Sequence, residues 1–368
     1  MSRKAIIDIG SNSVSLIIVN IEENSSYTIV DEIKEPLRIF DGMNEKNEII
    51  GSKIDATVAT LITYKKLCDV LNTDEIIAVA TEAIRRAINK DEIIKTIKEK
   101  VGIEVRLLSG IEEAFYDYFA VVNSIDIRDG LIIDIGGASI ELIWLKDSDI
   151  LKSVSLPIGA LTLAHQFNLT DEVDPACEKK MMSFLLDYFS SVTWLKEIRS
   201  NVLIGIGGSI RNIAKIQKKL DNYPVAQIHN YEIDSTHVNS IYSMLKQKNL
   251  KQRKKVKGLS ENRADIIIGV TAVLSTLIKM CGVKKLIISG KGIREGLIYS
   301  NIHGEDTIVA DVLDYSLFNL LMQKGSSMQH AMHVFKLTNN LHSKLKILFN
   351  NNPVDKILKT ASIGRAHV

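Results

Sequence analysis

Asp8 and Asp134 each end an apolar run and are each followed by a glycine- and serine-rich turn, a pairing of carboxylate and small-residue backbone that suits phosphate and metal chemistry. The first copy reads AIIDIGSNSVSLIIV over residues 5–19 and the second LIIDIGGASIELIWL over 131–145. Asp8, Ile9, Gly10, Ser13, Leu16 and Ile17 fall in register with Asp134, Ile135, Gly136, Ser139, Leu142 and Ile143. An Ile/Val run broken by a short Gly/Ser/Asn interruption reads as a β-hairpin, and two hairpins sharing the acid, the glycine and the serine point to a duplicated domain. A third turn, at 207–209 in NVLIGIGGSIRNIAKI, leads from a strand into a helix. In each turn, consecutive small residues leave backbone N–H groups pointing outward, and at a helix start the dipole adds attraction for an anion. One Gly/Ser turn alone is structural more often than not. The acids beside two of them are the added signal, because a carboxylate next to a phosphate cradle calls for a cation such as Mg2+ between them.

The elements that must position these turns alternate between strand and helix. After the first hairpin come a meander with a turn at FDGMNEKNEIIG, a helical stretch around 52–71, a strand at EIIAVAT and one helix over EAIRRAINKDEIIKTIKEK. GIEVRLLSG is a further strand, and Ser109 with Glu112 three residues later forms a capping-box pattern that opens the helix IEEAFYDYFAVV. The pattern restarts at 130. Alternating strands and helices with an internal repeat predict an α/β architecture of two similar lobes with a cleft between them. From about 306 the pattern is helical only, a separate third domain.

Composition excludes several classes. With 368 residues, 46% hydrophobic and 24% charged, the chain is a globular protein of two or three domains, and a net charge of +2 gives it no overall preference for a polyanion. Cys68, Cys177 and Cys281 lie far apart without a CxxC pair, which argues against a zinc or disulfide framework and fits a reducing cytoplasm. The N-terminus, MSRKAIIDIG, lacks signal-peptide features, and the apolar segment IIIGVTAVLSTLI at 266–278 is too short to span a bilayer and reads as a core helix. The last six residues, IGRAHV, are what a common sequencing adapter encodes up to an in-frame stop codon, so 363–368 are read as a scar on a longer natural chain.

DIGSNS, ATEAIRRAIN, SGIEEAFYDY, DIGGASIEL, SLPIGAL, GIGGSIRNIAK, ENRADIIIG and GIREGL occur in an order and spacing that resembles the exopolyphosphatase and guanosine pentaphosphate phosphohydrolase (Ppx/GppA) family, over residues 4–300 and more weakly to 362. The resemblance implies two ribonuclease-H-like lobes of the actin, hexokinase and Hsp70 class, at 1–122 and 123–300, and the start of a truncated helical HD-like domain at 306–362. It implies Mg2+-assisted attack of water on a terminal phosphoryl group, with Glu113 as the catalytic base and Asp134 and Glu141 holding the metal, Asp8 standing by them. Taken alone, Glu113 would read as an exposed helix glutamate. Phosphate contacts are expected from Ser11, Asn12 and Ser13, from Gly136, Gly137, Ala138 and Ser139, from Gly207, Gly208 and Ser209, and from Arg85, whose planar fork matches phosphate oxygens. Arg263 and Arg294 fall in later motifs and read equally well as internal ion-pair residues. Ser15 stands where many members carry an arginine, and Ala138 replaces a third glycine, which is tolerable only at negative φ.

The substrate implied is inorganic polyphosphate, with guanosine pentaphosphate as the alternative and a non-catalytic polyphosphate- or alarmone-binding protein as the reading from another class. Neither nucleic acid nor a membrane is expected as a partner, and a homodimer stays open. A sugar kinase or ATPase of the same fold class is disfavoured because adenine-pocket motifs are not evident. The run KQKNLKQRKKVKG around 246–258 is a solvated helix face or an approach path for a long polyanion. His330 and His333, at helical spacing, read as solvated or capping residues, since no carboxylate cluster accompanies them.

Overall fold

A computed structural model describes residues 1–323, 328–345 and 355–365. The first sheet contains β1 (Ser2–Ile9), β2 (Val14–Ile21), β3 (Tyr27–Glu35), β4 (Glu75–Ala80) and β5 (Val105–Leu107), ordered β3-β2-β1-β4-β5. The second contains β6 (Gly130–Ile135), β7 (Ile140–Lys146), β8 (Asp149–Leu156), β9 (Val202–Ile206), β10 (Tyr231–Asp234) and β11 (Lys285–Ile288), ordered β8-β7-β6-β9-β11-β10. In both, the first three strands form an antiparallel meander and the next two join it in parallel. The repeat in the sequence is therefore a repeat of topology, with β10 added antiparallel at one edge. This is the two-lobed actin-like architecture.

Side-chain alternation explains the continuous apolar runs and the aim of the aspartates. Ala5, Ile7 and Ile9 pack into the first lobe's outer core, while Ile6 turns the other way into a core shared between the lobes. Ile133 and Ile135 face the second lobe's core and Ile132 the shared one. Strands covered on both faces need apolar residues at every position. Asp8 shares the face of Ile6, and Asp134 the face of Ile132, so both carboxylates point between the lobes where that shared core ends. The shared core also holds the helices Gly110–Val122 and Ile293–His303, which pack on each other.

Two expectations change. The stretch EAIRRAINKDEIIKTIKEK is two helices, Glu82–Arg86 and Lys90–Val101. The chain turns extended at Ala87, and the Asn89 side chain exchanges bonds of 3.0 Å with both the N–H and the carbonyl of Ile49, a tertiary pairing that outcompetes helical continuity. The basic run is also not uniform. Lys251, Lys254 and Lys255 are exposed, whereas Arg253 is fully buried and donates to the carbonyls of Leu169 (3.1 Å), Thr170 (2.9 Å) and Asp171 (2.5 Å). Arg253→Ala should lower stability by about 2–4 kcal/mol through lost packing and unpaired carbonyls, read as a fall in the denaturation midpoint. Lys254→Ala should stay within about 0.5 kcal/mol.

The helix Ile267–Cys281 is buried along most of its length, as a core helix should be. Beyond it, the described residues of the C-terminal part form helices Val312–Gln323, Met328–Leu345 and Asp355–Arg365. The first docks on the edge of the first sheet, where Asn319 Oδ1 accepts from the Tyr27 N–H at 2.9 Å and Tyr315 donates to the Ser25 carbonyl at 2.8 Å. His330 and His333 lie exposed on the second. Residues 366–368 lie outside the described residues.

Candidate active site

The two hairpin turns close with matching bonds: Gly10 N–H donates to Ser13 O at 3.1 Å and Gly136 N–H to Ser139 O at 3.0 Å. They meet across the cleft, where a side chain at Gly137 would come within 3.0 Å of Ser11 Cβ. Gly207, at φ 104°, starts the third turn, and a Cβ there would lie 2.8 Å from Asp134 Oδ1. That position requires glycine both for its backbone and for the approach to the acid. Together these turns wall a cavity of about 140 Å3 between the lobes.

Most of the residues expected at the site line this cavity: Asp8, Ser11, Asn12 and Ser13 from the first hairpin, Asp134, Gly136, Gly137, Ser139 and Glu141 from the second, with Gly207, Gly208 and Glu113. Three stand behind it. Ala138 is fully buried and Ser209 accepts a 3.0 Å bond from Arg263 Nη1. Arg85 turns away from the cavity, pairing with Glu113 and Glu82 and donating to the Leu108 carbonyl at 2.6 Å. These bonds place it to orient Glu113. Arg263 and Arg294 line the cavity, and Arg294 also holds Glu32 at 2.5 Å.

Ser109 and Glu112 form the expected capping box, which fixes the start of the helix Gly110–Val122 and the direction of Glu113 one residue later. Glu113 is 3% exposed, not a solvated helix residue. One turn further, at i+4 on the same face, stands Asp117, fully buried and not anticipated from the sequence. Carboxylate oxygens of Asp117, Asp134 and Glu141 lie within 4.8 Å of one another. Asp8 is outside this set. The helix Gly110–Val122 thus adds Asp117, which the sequence reading did not include, to Asp134 and Glu141 as an acid within reach of both.

These acids are under electrostatic load. Burial pushes Glu113 up to about 8 despite the opposing Arg85 charge, and burial pushes Asp134 up to about 6. Burial and then the neighbouring carboxylates raise Asp117 and Glu141 well above the usual range. Both Asp117 oxygens and Asp134 Oδ1 are buried with no hydrogen-bond partner, a costly arrangement that a divalent cation relieves. Three hard oxygen donors fit Mg2+. Lys34, Arg211, Arg263, Lys291 and Arg294 line the same cavity, so the cleft combines these acids with five cationic side chains.

The raised values set a sign for stability. Glu113 and Asp134 hold protons more tightly folded than unfolded, so their contribution is complete below about pH 4 and is lost as pH rises through 6 to 8. In chelator-treated protein, the thermal midpoint should fall between pH 5 and pH 8.5, and Glu113→Gln should flatten the upper part of that fall.

The model of the Ppx/GppA phosphatase family matches residues 17–305. The chain belongs to this family. Among Ppx/GppA relatives, Exopolyphosphatase 1 of Mycobacterium leprae is 24% identical over 311 residues, covering 82% of this chain and 90% of that protein. A bifunctional 3-dehydroquinate synthase/phosphatase of Fusobacterium nucleatum is 28% identical over 314 residues, covering 82% of this chain but 47% of that protein, so the chain spans about half of its length. Of solved structures, the Aquifex aeolicus Ppx/GppA family member superposes with a TM-score of 0.71 at 28% identity, covering 83% of this chain and 99% of the other. An exopolyphosphatase from Cytophaga hutchinsonii superposes with a TM-score of 0.78 at 24% identity, covering 82% and 98%. Among the described residues of this Ppx/GppA chain, no helix is long and apolar enough to cross a membrane.

Proposed function

We propose that the chain is an exopolyphosphatase that removes the terminal phosphate of inorganic polyphosphate. The observation that carries this reading is Glu113, buried yet lining a cleft that it shares with glycine turns and five cationic side chains. The terminal phosphoryl group sits against the backbone N–H groups of the turns, with the start of the helix Gly208–Leu220 at its side. Glu113 holds a water molecule and takes its proton as the oxygen attacks phosphorus. The new P–O bond forms while the bond to the bridging oxygen breaks, and the shortened chain leaves with that electron pair. Mg2+ held by Asp117, Asp134 and Glu141 would neutralise charge developing on the phosphoryl oxygens. Arg263, Arg211 and Lys34 take up charge on the rest of the chain.

A second reading, hydrolysis of the terminal 5′-phosphate of guanosine pentaphosphate, is favoured by an outer cavity of about 680 Å3 that opens beyond the inner one and is bordered by Tyr27 and His229. That volume suits a nucleoside. Orthophosphate release from long-chain polyphosphate and from guanosine pentaphosphate, each with and without Mg2+, separates the two. Faster release from polyphosphate is expected, and release from neither would end both readings.

Arg85 supplies a further expected result. Its charge opposes the burial that raises Glu113, so Arg85→Ala should push the base higher still. The acidic limb of the kcat profile should move to higher pH, with kcat below that limb reduced about tenfold or more. An unmoved limb would uncouple Arg85 from the base.

A further inference from the structure

The twofold repeat places equivalent rows of three side chains across the two meanders. In the second lobe, Asp134 pairs with Glu141 and Glu141 with Ser155, and Ser155 donates to Glu141 at 2.8 Å. In the first lobe, Asp8 pairs with Ser15 and Ser15 with Lys34. Directly opposed residues of antiparallel strands share a face, so Lys34 is brought to the cleft by the same register that brings Ser155 to the metal group. One row carries two acids. Its counterpart carries one acid and a cation.

Lys34 borders both the inner cavity and the outer one, whereas Glu113, Asp134 and Glu141 border only the inner. Other cations at this junction are engaged. Arg211 donates to the Gly290 carbonyl at 3.3 Å, Arg263 to Ser209, and Lys291 to the hydroxyls of Tyr299 at 2.6 Å and Tyr27 at 3.3 Å. Among the described residues, no side-chain hydrogen bond or ion pair joins Lys34. Its ammonium lines the cleft, where surrounding protein and then the charges of Arg263, Arg211 and Arg294 push it down to about 8 against the attraction of Asp8. A cation with three others near it, one carboxylate to offset them and no hydrogen-bond partner among the described residues is stabilised by an anion arriving from the cleft.

We propose that Lys34 binds the second phosphate of the substrate, the one that remains on the leaving chain, and so selects substrates with at least one phosphate beyond the one released. This rests on the phosphohydrolase reading above. It assigns the two rows separate work, the second lobe's to the metal and the first lobe's to the leaving chain. Charge on that phosphate rises as the bridging bond breaks, so the contact strengthens toward the transition state.

The test uses Glu113→Gln protein with Mg2+, so that nothing turns over, and measures binding of orthophosphate and of inorganic tripolyphosphate by calorimetry. Adding Lys34→Met should weaken tripolyphosphate binding tenfold or more and change orthophosphate binding less than threefold, and Lys34→Arg should restore most of the loss. Lys34→Met should also raise the thermal midpoint of the phosphate-free protein, because it removes like-charge repulsion, where a merely structural lysine would lower it. Unchanged tripolyphosphate affinity in Lys34→Met overturns the proposal and leaves the phosphohydrolase reading standing. Equal weakening for both anions would place Lys34 on the released phosphate and overturn the assignment to the second. Failure of the Lys34-intact protein to bind either tripolyphosphate or long polyphosphate would overturn the functional reading and this proposal with it.

Discussion

Glu113→Gln should lower kcat by about 10²- to 10⁴-fold while polyphosphate binding persists. Glutamine keeps the shape and the buried position but cannot take the proton of the attacking water. The environment of Glu113 makes the expectation specific: burial pushes the group up to about 8, near the range where a base both accepts a proton and is deprotonated at working pH. Arg85 keeps the value from rising further and fixes the direction of the carboxylate. Activity within threefold of the unmodified protein would remove Glu113 from the reaction.

Asp117→Asn and Asp134→Asn should each raise the Mg2+ concentration for half-maximal activity by about tenfold or more, because each removes one anionic oxygen donor from a set of three. Asp8→Asn should leave that concentration within threefold, since Asp8 lies outside the set. The thermal midpoint offers the same comparison without turnover: Mg2+ should raise it in the unmodified protein, more at pH 8 than at pH 6, because the acids bind the cation only after losing protons that burial makes them hold. Equal Mg2+ responses in Asp117→Asn and the unmodified protein would move the metal to another group.

What the sequence shows of this molecule is its repetition. The pairing of Asp8 with Asp134 across copies of one hairpin, and the glycine turns after them, are local patterns, and a strand period of two makes their common aim legible. Asp117 was not legible. In AFYDYFAVV it is one acid in an apolar helix, and its closeness to Asp134 depends on how that helix lies between two sheets. Lys34 is hidden for a related reason: β3 looks like an ordinary edge strand until its register with β2 puts Lys34 opposite Ser15. Arg253 sits in a run whose composition reads as solvated, and only the carbonyls offered by residues 169–171 make its burial favourable. Arg85 and Glu113 fall in separate motifs with no pattern linking them. Their pairing follows from the strand β5 and the capped helix that bring Glu113 back beside the helix Glu82–Arg86. Periodicity carries the elements, and long-range packing carries the charge pairs.

The most direct measurement is ³¹P nuclear magnetic resonance of long-chain polyphosphate incubated with the purified chain and Mg2+. Orthophosphate should accumulate while the number of chain ends stays constant, since each event shortens a chain by one unit without making another, and excess chelator should stop it. A growing end-group signal, or no orthophosphate at any Mg2+ concentration, would contradict terminal phosphoryl hydrolysis at this cleft.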